Sequence, residues 1–162
     1  MKKCVFAGSF DPPTMGHKKI IDDCLKIFDK VTVAVMVNPK KVCLLESEER
    51  AALLKKLYEN DGRVKVITYQ GAAADLLQSE NTPFYVRGIR DAIDLDYENR
   101  DRLATQKFKS DLVTVYLPAD RENLEVSSSL VKNCIKFKKD FSDYIPKEIL
   151  EDFKTLLERK NV

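Results

Sequence analysis

The single histidine of this 162-residue chain, His17, closes the segment Gly8-Ser9-Phe10-Asp11-Pro12-Pro13-Thr14-Met15-Gly16-His17, a Gly- and Pro-rich turn between an apolar run and an amphipathic one. A turn that leads from a strand into a helix leaves backbone N–H groups unpaired, and the helix dipole adds positive potential at the same place. That combination favours phosphate. Gly8 lets a ligand approach the main chain, Ser9 offers a hydroxyl, and Asp11-Pro12-Pro13 stiffens the turn. On the first helical turn His17 can reach the same space, where a hydrogen-bond donor stabilises charge on a phosphoryl oxygen. The plainer reading of a helix-start histidine is a cap or a packing group.

Three further segments carry phosphate chemistry. Arg87-Gly88-Ile89-Arg90 begins where a fourth apolar run ends, and guanidinium groups fork onto phosphate oxygens in a way ammonium groups do not. Their plainer reading is neutralisation by the nearby Asp91, Asp94 and Asp96. Asn38-Pro39-Lys40-Lys41 is a basic turn after the second apolar run, which alone could serve only solubility. Val126-Ser127-Ser128-Ser129 supplies three hydroxyls and several first-turn N–H groups at one helix start, where capping needs a single serine. Each segment follows a predicted strand, so all four should open on one rim and form a polyphosphate site. Unit charges about 4 Å apart interact by roughly 1 kcal/mol in water and about 4 near a protein surface, so clustered cations outweigh a near-neutral whole.

The elements that must position these residues are legible from periodicity. Apolar or alternating runs at Cys4–Ala7, Val31–Val37, Val64–Thr68, Phe84–Val86 and Leu112–Leu117 are each followed by a turn signal and helical character. The first helix is expected from about Gly16 to Phe28, with Ile20, Ile21, Cys24, Leu25 and Phe28 on one face. The second should start with Ser47 as N-cap and bury Ala52, Leu53 and Leu57. A short helix is expected over Ala73–Ser79, and a long one over Ala92–Phe108 whose thin apolar stripe of Ile93, Tyr97 and Leu103 suits a cleft or an interface. The serines open a helix buried through Leu130, Val131, Cys134 and Ile135. A C-terminal helix at about 146–160, with Pro146 at its first position, carries a complete stripe of Ile149, Leu150, Phe153, Leu156 and Leu157. With no repeat or linker, residues 1–162 read as one α/β domain, a doubly wound five-stranded parallel sheet of Rossmann-like type. In such sheets the ligand crevice lies at the carboxyl ends of the strands.

Composition excludes several classes. Lys and Arg total 28 against 26 Asp and Glu, a formal net charge of +2, so the chain lacks the basic field of a nucleic-acid binder and any anion site must be local. The four cysteines, Cys4, Cys24, Cys43 and Cys134, have no C-x-x-C pairing and lie mostly in apolar segments, which predicts a reducing, cytoplasmic compartment. The apolar start of the chain breaks at Ser9 and Asp11, too early for an export signal, and no run reaches membrane-spanning length. No membrane partner is expected.

These residues resemble the HxGH nucleotidyltransferase superfamily and, within it, the bacterial phosphopantetheine adenylyltransferases. Gly8-to-His17 is similar to that family's G-[TS]-F-D-P-x-T-x-G-H, with Thr14 where cytidylyltransferases and nicotinamide-mononucleotide adenylyltransferases generally place a first histidine. Ser47-Glu48-Glu49-Arg50 resembles its L-E-E-R helix start, Val86-to-Arg90 its [IV]-R-G-[LI]-R, Asp96-Tyr97-Glu98 its [FD]-x-Y-E, and Val126-to-Lys132 its I-S-S-S-L-V-K. The resemblance implies transfer of the adenylyl group of ATP to 4′-phosphopantetheine, giving dephospho-coenzyme A and pyrophosphate, with Mg²⁺ held mainly by ligand phosphates rather than by protein ligands. It implies His17 as transition-state stabiliser, and Ser9, Lys41, Ala73 and Arg87 as contacts of the phosphopantetheine. ATP contacts would come from Ser9, Phe10, His17, Gly88, Ile89, Arg90, Glu98 and the segment Asn123, Leu124, Glu125, Val126, Ser127, Ser128 and Ser129. It further implies dephospho-coenzyme A and coenzyme A as product and feedback ligand, and a homohexamer. The alternatives are a nicotinamide-mononucleotide adenylyltransferase, a polyol-phosphate cytidylyltransferase, or a non-catalytic module that senses nucleotide or coenzyme A.

Overall fold

The computed structural model describes residues 1–162. Five strands, β1 (Lys3–Gly8), β2 (Lys30–Met36), β3 (Val64–Tyr69), β4 (Phe84–Ile89) and β5 (Val113–Pro118), form one sheet in the order β3-β2-β1-β4-β5. Every pairing is parallel. The order reverses between β1 and β4, and this switch point opens a crevice at their carboxyl ends.

Helices cover both faces, as buried parallel strands require. On one side α1 (Met15–Ile27) and α2 (Ser47–Leu57) pack Ile20, Ile21, Cys24, Ala51 and Leu54 against Cys4, Phe6, Val31, Val33, Val35 and Val86. On the other, α3 (Ala73–Ser79) sets Leu76 and Leu77 against Val5, Ala7, Ala34 and Tyr85. The alternation of Cys4 and Phe6 with Val5 and Ala7 thus divides β1 between two cores. A third cluster joins Leu53 of α2, Val131 of α5 (Ser128–Lys136) and Ile149, Phe153 and Leu157 of α6 (Lys147–Arg159). Full burial of one such side chain stabilises the fold by about 2 kcal/mol.

Several boundaries depart from the sequence reading. The N-cap of α2 is Glu46, which shares a capping box with Glu49, and Ser47 is the first helical residue. Pro146 caps α6 from outside the helix. The buried arc of α2 runs through Arg50, Ala51, Leu53 and Leu54 and leaves Ala52 exposed, because the helix is wedged between the sheet and α6 and faces two cores at once. The fourth strand continues through Ile89, pairing Arg87 with Tyr116, Gly88 with Leu117 and Ile89 with Pro118. Arg87, Gly88 and Ile89 are therefore strand residues with fixed directions, not a loop. Helix α4 (Ala92–Gln106) leaves its apolar stripe in solvent: Ile93 is 81% and Tyr97 68% exposed, with Leu103 exposed as well.

Candidate active site

A cleft of about 260 Å³ lies at the switch point, floored by the ends of β1 and β4 and walled by the start of α1, by α4 and by the start of α5. The turn after β1 forms its inner edge. Phe10 adopts a left-handed backbone conformation (φ 49°) and its ring folds back, fully buried, over Gly8. A Cβ on Gly8 would stand 3.3 Å from that ring, so the glycine is what lets the aromatic close on the strand. The Phe10 ring meets the His17 imidazole edge-on, with centroids 4.9 Å apart.

His17 occupies the third position of α1, and its role as a cap defines its chemistry. The Thr14 hydroxyl accepts from the His17 backbone N–H at 3.4 Å, while the Thr14 backbone N–H donates to His17 Nδ1 at 3.1 Å. A backbone N–H can only donate, so Nδ1 is the unprotonated nitrogen and the proton sits on Nε2. Desolvation against Phe10 and Phe6, and then the positive charge of Arg90, lower the His17 pKa from 6.5 to about 4. His17 is thus a neutral, oriented N–H donor lining the cleft. The plainer reading from sequence, a capping histidine, and the functional one are both realised by one ring: Nδ1 caps and Nε2 is left for a ligand.

The two arginines of β4 are paired with α4. Arg87 Nε and Nη2 donate to the two Glu98 carboxylate oxygens at 2.5 and 2.7 Å, and Nη1 donates to the Ala7 carbonyl at 2.9 Å and the Tyr85 hydroxyl at 3.0 Å. Burial disfavours the guanidinium charge, but the Glu98 hydrogen bonds outweigh it and hold the Arg87 pKa above its ordinary value. Arg90 is forked onto Asp94, whose carboxylate it keeps below the usual range. The plainer reading of these arginines is realised: as the site stands, carboxylates of α4 balance both guanidinium groups. Asp94 is among the neutralisers that the sequence offers, whereas Glu98, an ATP contact by resemblance, also pairs with an arginine. Gly88, between them, would place a Cβ 3.2 Å from Ile20, so α1 can approach β4 only because this residue is glycine.

Ser9 and Lys41 lie beside the cleft rather than in its lining. Lys41 Nζ donates to Ser9 Oγ at 3.2 Å, bringing the basic turn after β2 to the turn after β1. The carboxylate of Asp11, only 1% exposed, accepts from the backbone N–H groups of Leu44 and Leu45 at 2.8 and 2.9 Å and has Lys132 Nζ at 3.6 Å.

At the start of α5 the serines divide their tasks. Ser127 caps the helix by accepting from the Leu130 N–H at 3.0 Å, Ser128 donates to the Pro12 carbonyl at 2.8 Å, and Ser129 is exposed. The second serine ties α5 to the first turn, and the first-turn N–H groups of the helix remain without helical partners.

Among the residues expected at a site, Phe10, His17, Arg87, Gly88, Ile89, Arg90, Glu98, Asn123, Val126, Ser127 and Ser128 line this one cleft. Leu124, Glu125 and Ser129 are exposed outside it, and Ala73, the first residue of α3, packs on the core behind β1 and β2. No group of three His, Cys, Asp or Glu side chains gathers in a way that could hold a metal ion, and the carboxylates of the cleft, Asp94 and Glu98, are engaged by arginine. Arg50, 3% exposed at the head of α2, is a buried cation that the sequence reading does not single out as a site residue. Arg50 had a signal: it stands at the head of the 50, 53, 54, 57 spacing that defines the buried arc of α2.

Comparison with known proteins gives the family. The cytidylyltransferase-like family model matches residues 5–134. A phosphopantetheine adenylyltransferase of Clostridium botulinum (strain Alaska E43 / Type E3) is 38% identical over 152 residues, covering 94% of this chain and 96% of that one. One of Thermotoga neapolitana is 38% identical over 145 residues, covering 90% of each. In three dimensions the chain superposes on a Vibrio parahaemolyticus protein assigned as a nicotinate-nucleotide adenylyltransferase, with a TM-score of 0.68 and 97% and 99% coverage. At 22% identity that likeness speaks for the nucleotidyltransferase fold alone. The chain belongs to the cytidylyltransferase-like family and, within it, to the phosphopantetheine adenylyltransferases.

Proposed function

We propose that this enzyme joins ATP and 4′-phosphopantetheine at the cleft between β1 and β4. An oxygen of the 4′-phosphate attacks the α-phosphorus of ATP, the bond from that phosphorus to the bridging oxygen of the β-phosphate breaks, and pyrophosphate leaves with the electron pair. The product is dephospho-coenzyme A. No covalent enzyme intermediate is required, so the protein contributes position and electrostatic stabilisation.

One observation carries this reading: the cap on Thr14 leaves His17 as a neutral Nε2–H donor in a cleft shared with the arginines of β4 and the start of α5. Charge that builds on the α-phosphoryl oxygens would meet a donor that needs no reorientation. Arg90 and the free N–H groups at Ser128 and Ser129 would hold the triphosphate, with Gly88, Ile89, Glu98 and residues 123–127 shaping the nucleotide side. Ser9 and Lys41, with Arg87, would take the 4′-phosphate, and Ala73 would contact the arm. Mg²⁺ would enter as the companion of the ATP phosphates. Coenzyme A would act as a feedback ligand at the acceptor side. The exposed Ile93, Tyr97 and Leu103 of α4 support a homohexamer, and four free thiols suit the cytoplasm.

The test is an acceptor panel. Purified enzyme is given ATP or CTP with 4′-phosphopantetheine, nicotinamide mononucleotide, nicotinate mononucleotide or a polyol phosphate, and pyrophosphate is measured. Release with ATP and 4′-phosphopantetheine is expected; release only with CTP or only with a pyridine mononucleotide would overturn the proposal.

A further inference from the structure

The helix-start segment Ser47-Glu48-Glu49-Arg50 has no part in the mechanism above, yet it contains the most buried cation of the molecule's surface-charged set: Arg50 is 3% exposed. No carboxylate lies within salt-bridge distance of it. Its Nη1 donates to the Ser9 carbonyl at 2.5 Å and its Nε to the Glu46 carbonyl at 3.4 Å. A buried guanidinium that has only carbonyl partners is expensive to maintain compared with an apolar side chain of similar size. It is retained at the one backbone carbonyl that precedes the left-handed Phe10.

Two independent ties therefore meet in the turn after β1. Arg50 reaches from α2 to the Ser9 carbonyl, and Asp11 reaches back to the N–H groups of Leu44 and Leu45, just before α2. Between those ties lie Ser9 Oγ and Lys41 Nζ, in contact at 3.2 Å. The Lys41 side chain is exposed and its ammonium is held by Ser9 Oγ, so the position of this pair depends on how Ser9 is held.

We infer that Arg50 is a positioning residue for the acceptor half of the site: by fixing the Ser9 carbonyl it sets the Ser9–Lys41 pair that receives the acceptor's phosphate. The inference rests on the proposed reaction for the identity of that acceptor. Arg50 does not line the cleft. A lysine at this position keeps the charge but loses the two-pronged fork that spans Ser9 and Glu46, whereas methionine keeps most of the packing and loses the charge.

The experiment compares Arg50→Met and Arg50→Lys with the parent enzyme, alone and on a Lys41→Met background. Arg50→Met should raise KM for 4′-phosphopantetheine by about tenfold while KM for ATP moves by less than about twofold, and Arg50→Lys should recover part of the loss. On the Lys41→Met background the same Arg50 change should add less than about twofold, since both act through one contact. Equal rises in both KM values, or full additivity on that background, would overturn the inference and leave Arg50 a structural residue. Should Arg50→Met fail to fold, Arg50→Lys decides on the same two criteria. Amide hydrogen exchange gives a readout independent of turnover: protection of the Leu44 and Leu45 amides should fall in the variants while that of Val131 in α5 is kept. Unchanged protection at Leu44 and Leu45 contradicts the inference. If the parent enzyme makes no product from 4′-phosphopantetheine but those amides respond, the proposed reaction fails and the positioning role stands.

Discussion

The Thr14 backbone N–H points at His17 Nδ1 across 3.1 Å, and this one contact determines which nitrogen of the imidazole carries the proton. Everything proposed for His17 follows from it. A residue three positions into a helix ordinarily completes a capping box with a glutamate or glutamine, and here an imidazole does the same while presenting a second polar atom to the cleft.

His17→Gln separates the two tasks. Glutamine completes a capping box through Oε1, so the thermal midpoint should stay within a few degrees, whereas its flexible amide no longer fixes a donor where the imidazole Nε2–H stood, and turnover should fall on the order of a thousandfold. Turnover by initial-rate assay and midpoint by calorimetry check this; equal turnover would contradict the assigned role.

Because His17 is the only histidine, its ring proton resonance can be followed without assignment. The titration midpoint should lie near 4, and Arg90→Met should raise it, since the Arg90 charge is a cause of the depression. The linked effect on stability has a definite sign. Below pH 6.5 the unfolded chain takes up a proton that the native state refuses until about pH 4, so the parent should lose stability relative to His17→Gln across that window and no further below it. With the ring partly accessible, the difference should reach on the order of 2 kcal/mol.

How much of this was legible in the sequence can be said residue by residue. The alternation of Cys4 to Ala7 and of Val31 to Val35, and the stripe of α1, are strong local signals, and the parallel sheet with its crevice followed from them. The turn from Gly8 to His17 was legible as a phosphate site because its residue types have few other uses. The partners of Arg87 were not, since Glu98 is reached only through the docking of α4 on β4, which no spacing reveals. The extension of β4 through Ile89 was missed because Arg87 and Gly88 are poor strand residues that tertiary pairing with β5 overrides.

Glu98→Ala should be costly. It removes the carboxylate from a largely buried bidentate pair and leaves Arg87 with only the Ala7 carbonyl and the Tyr85 hydroxyl. A loss of about 2–4 kcal/mol is expected in denaturant unfolding. A loss well below 1 kcal/mol would show that Arg87 is readily rehydrated.

The exposed stripe of α4 predicts association. On the proposed hexamer, Ile93→Asp with Leu103→Asp should lower the mass measured by light scattering to that of a smaller species, because two carboxylates cannot be buried in an apolar contact without partners. An unchanged mass would place the subunit interface elsewhere.

The most direct test of the central claim follows the label from ATP carrying radioactive phosphorus at the α position, in the presence of 4′-phosphopantetheine. The account predicts label in dephospho-coenzyme A, one pyrophosphate released per label transferred, and a loss of both on the order of a thousandfold in His17→Gln. Label that remains in ATP or appears only as AMP, or transfer that persists undiminished without His17, would contradict it.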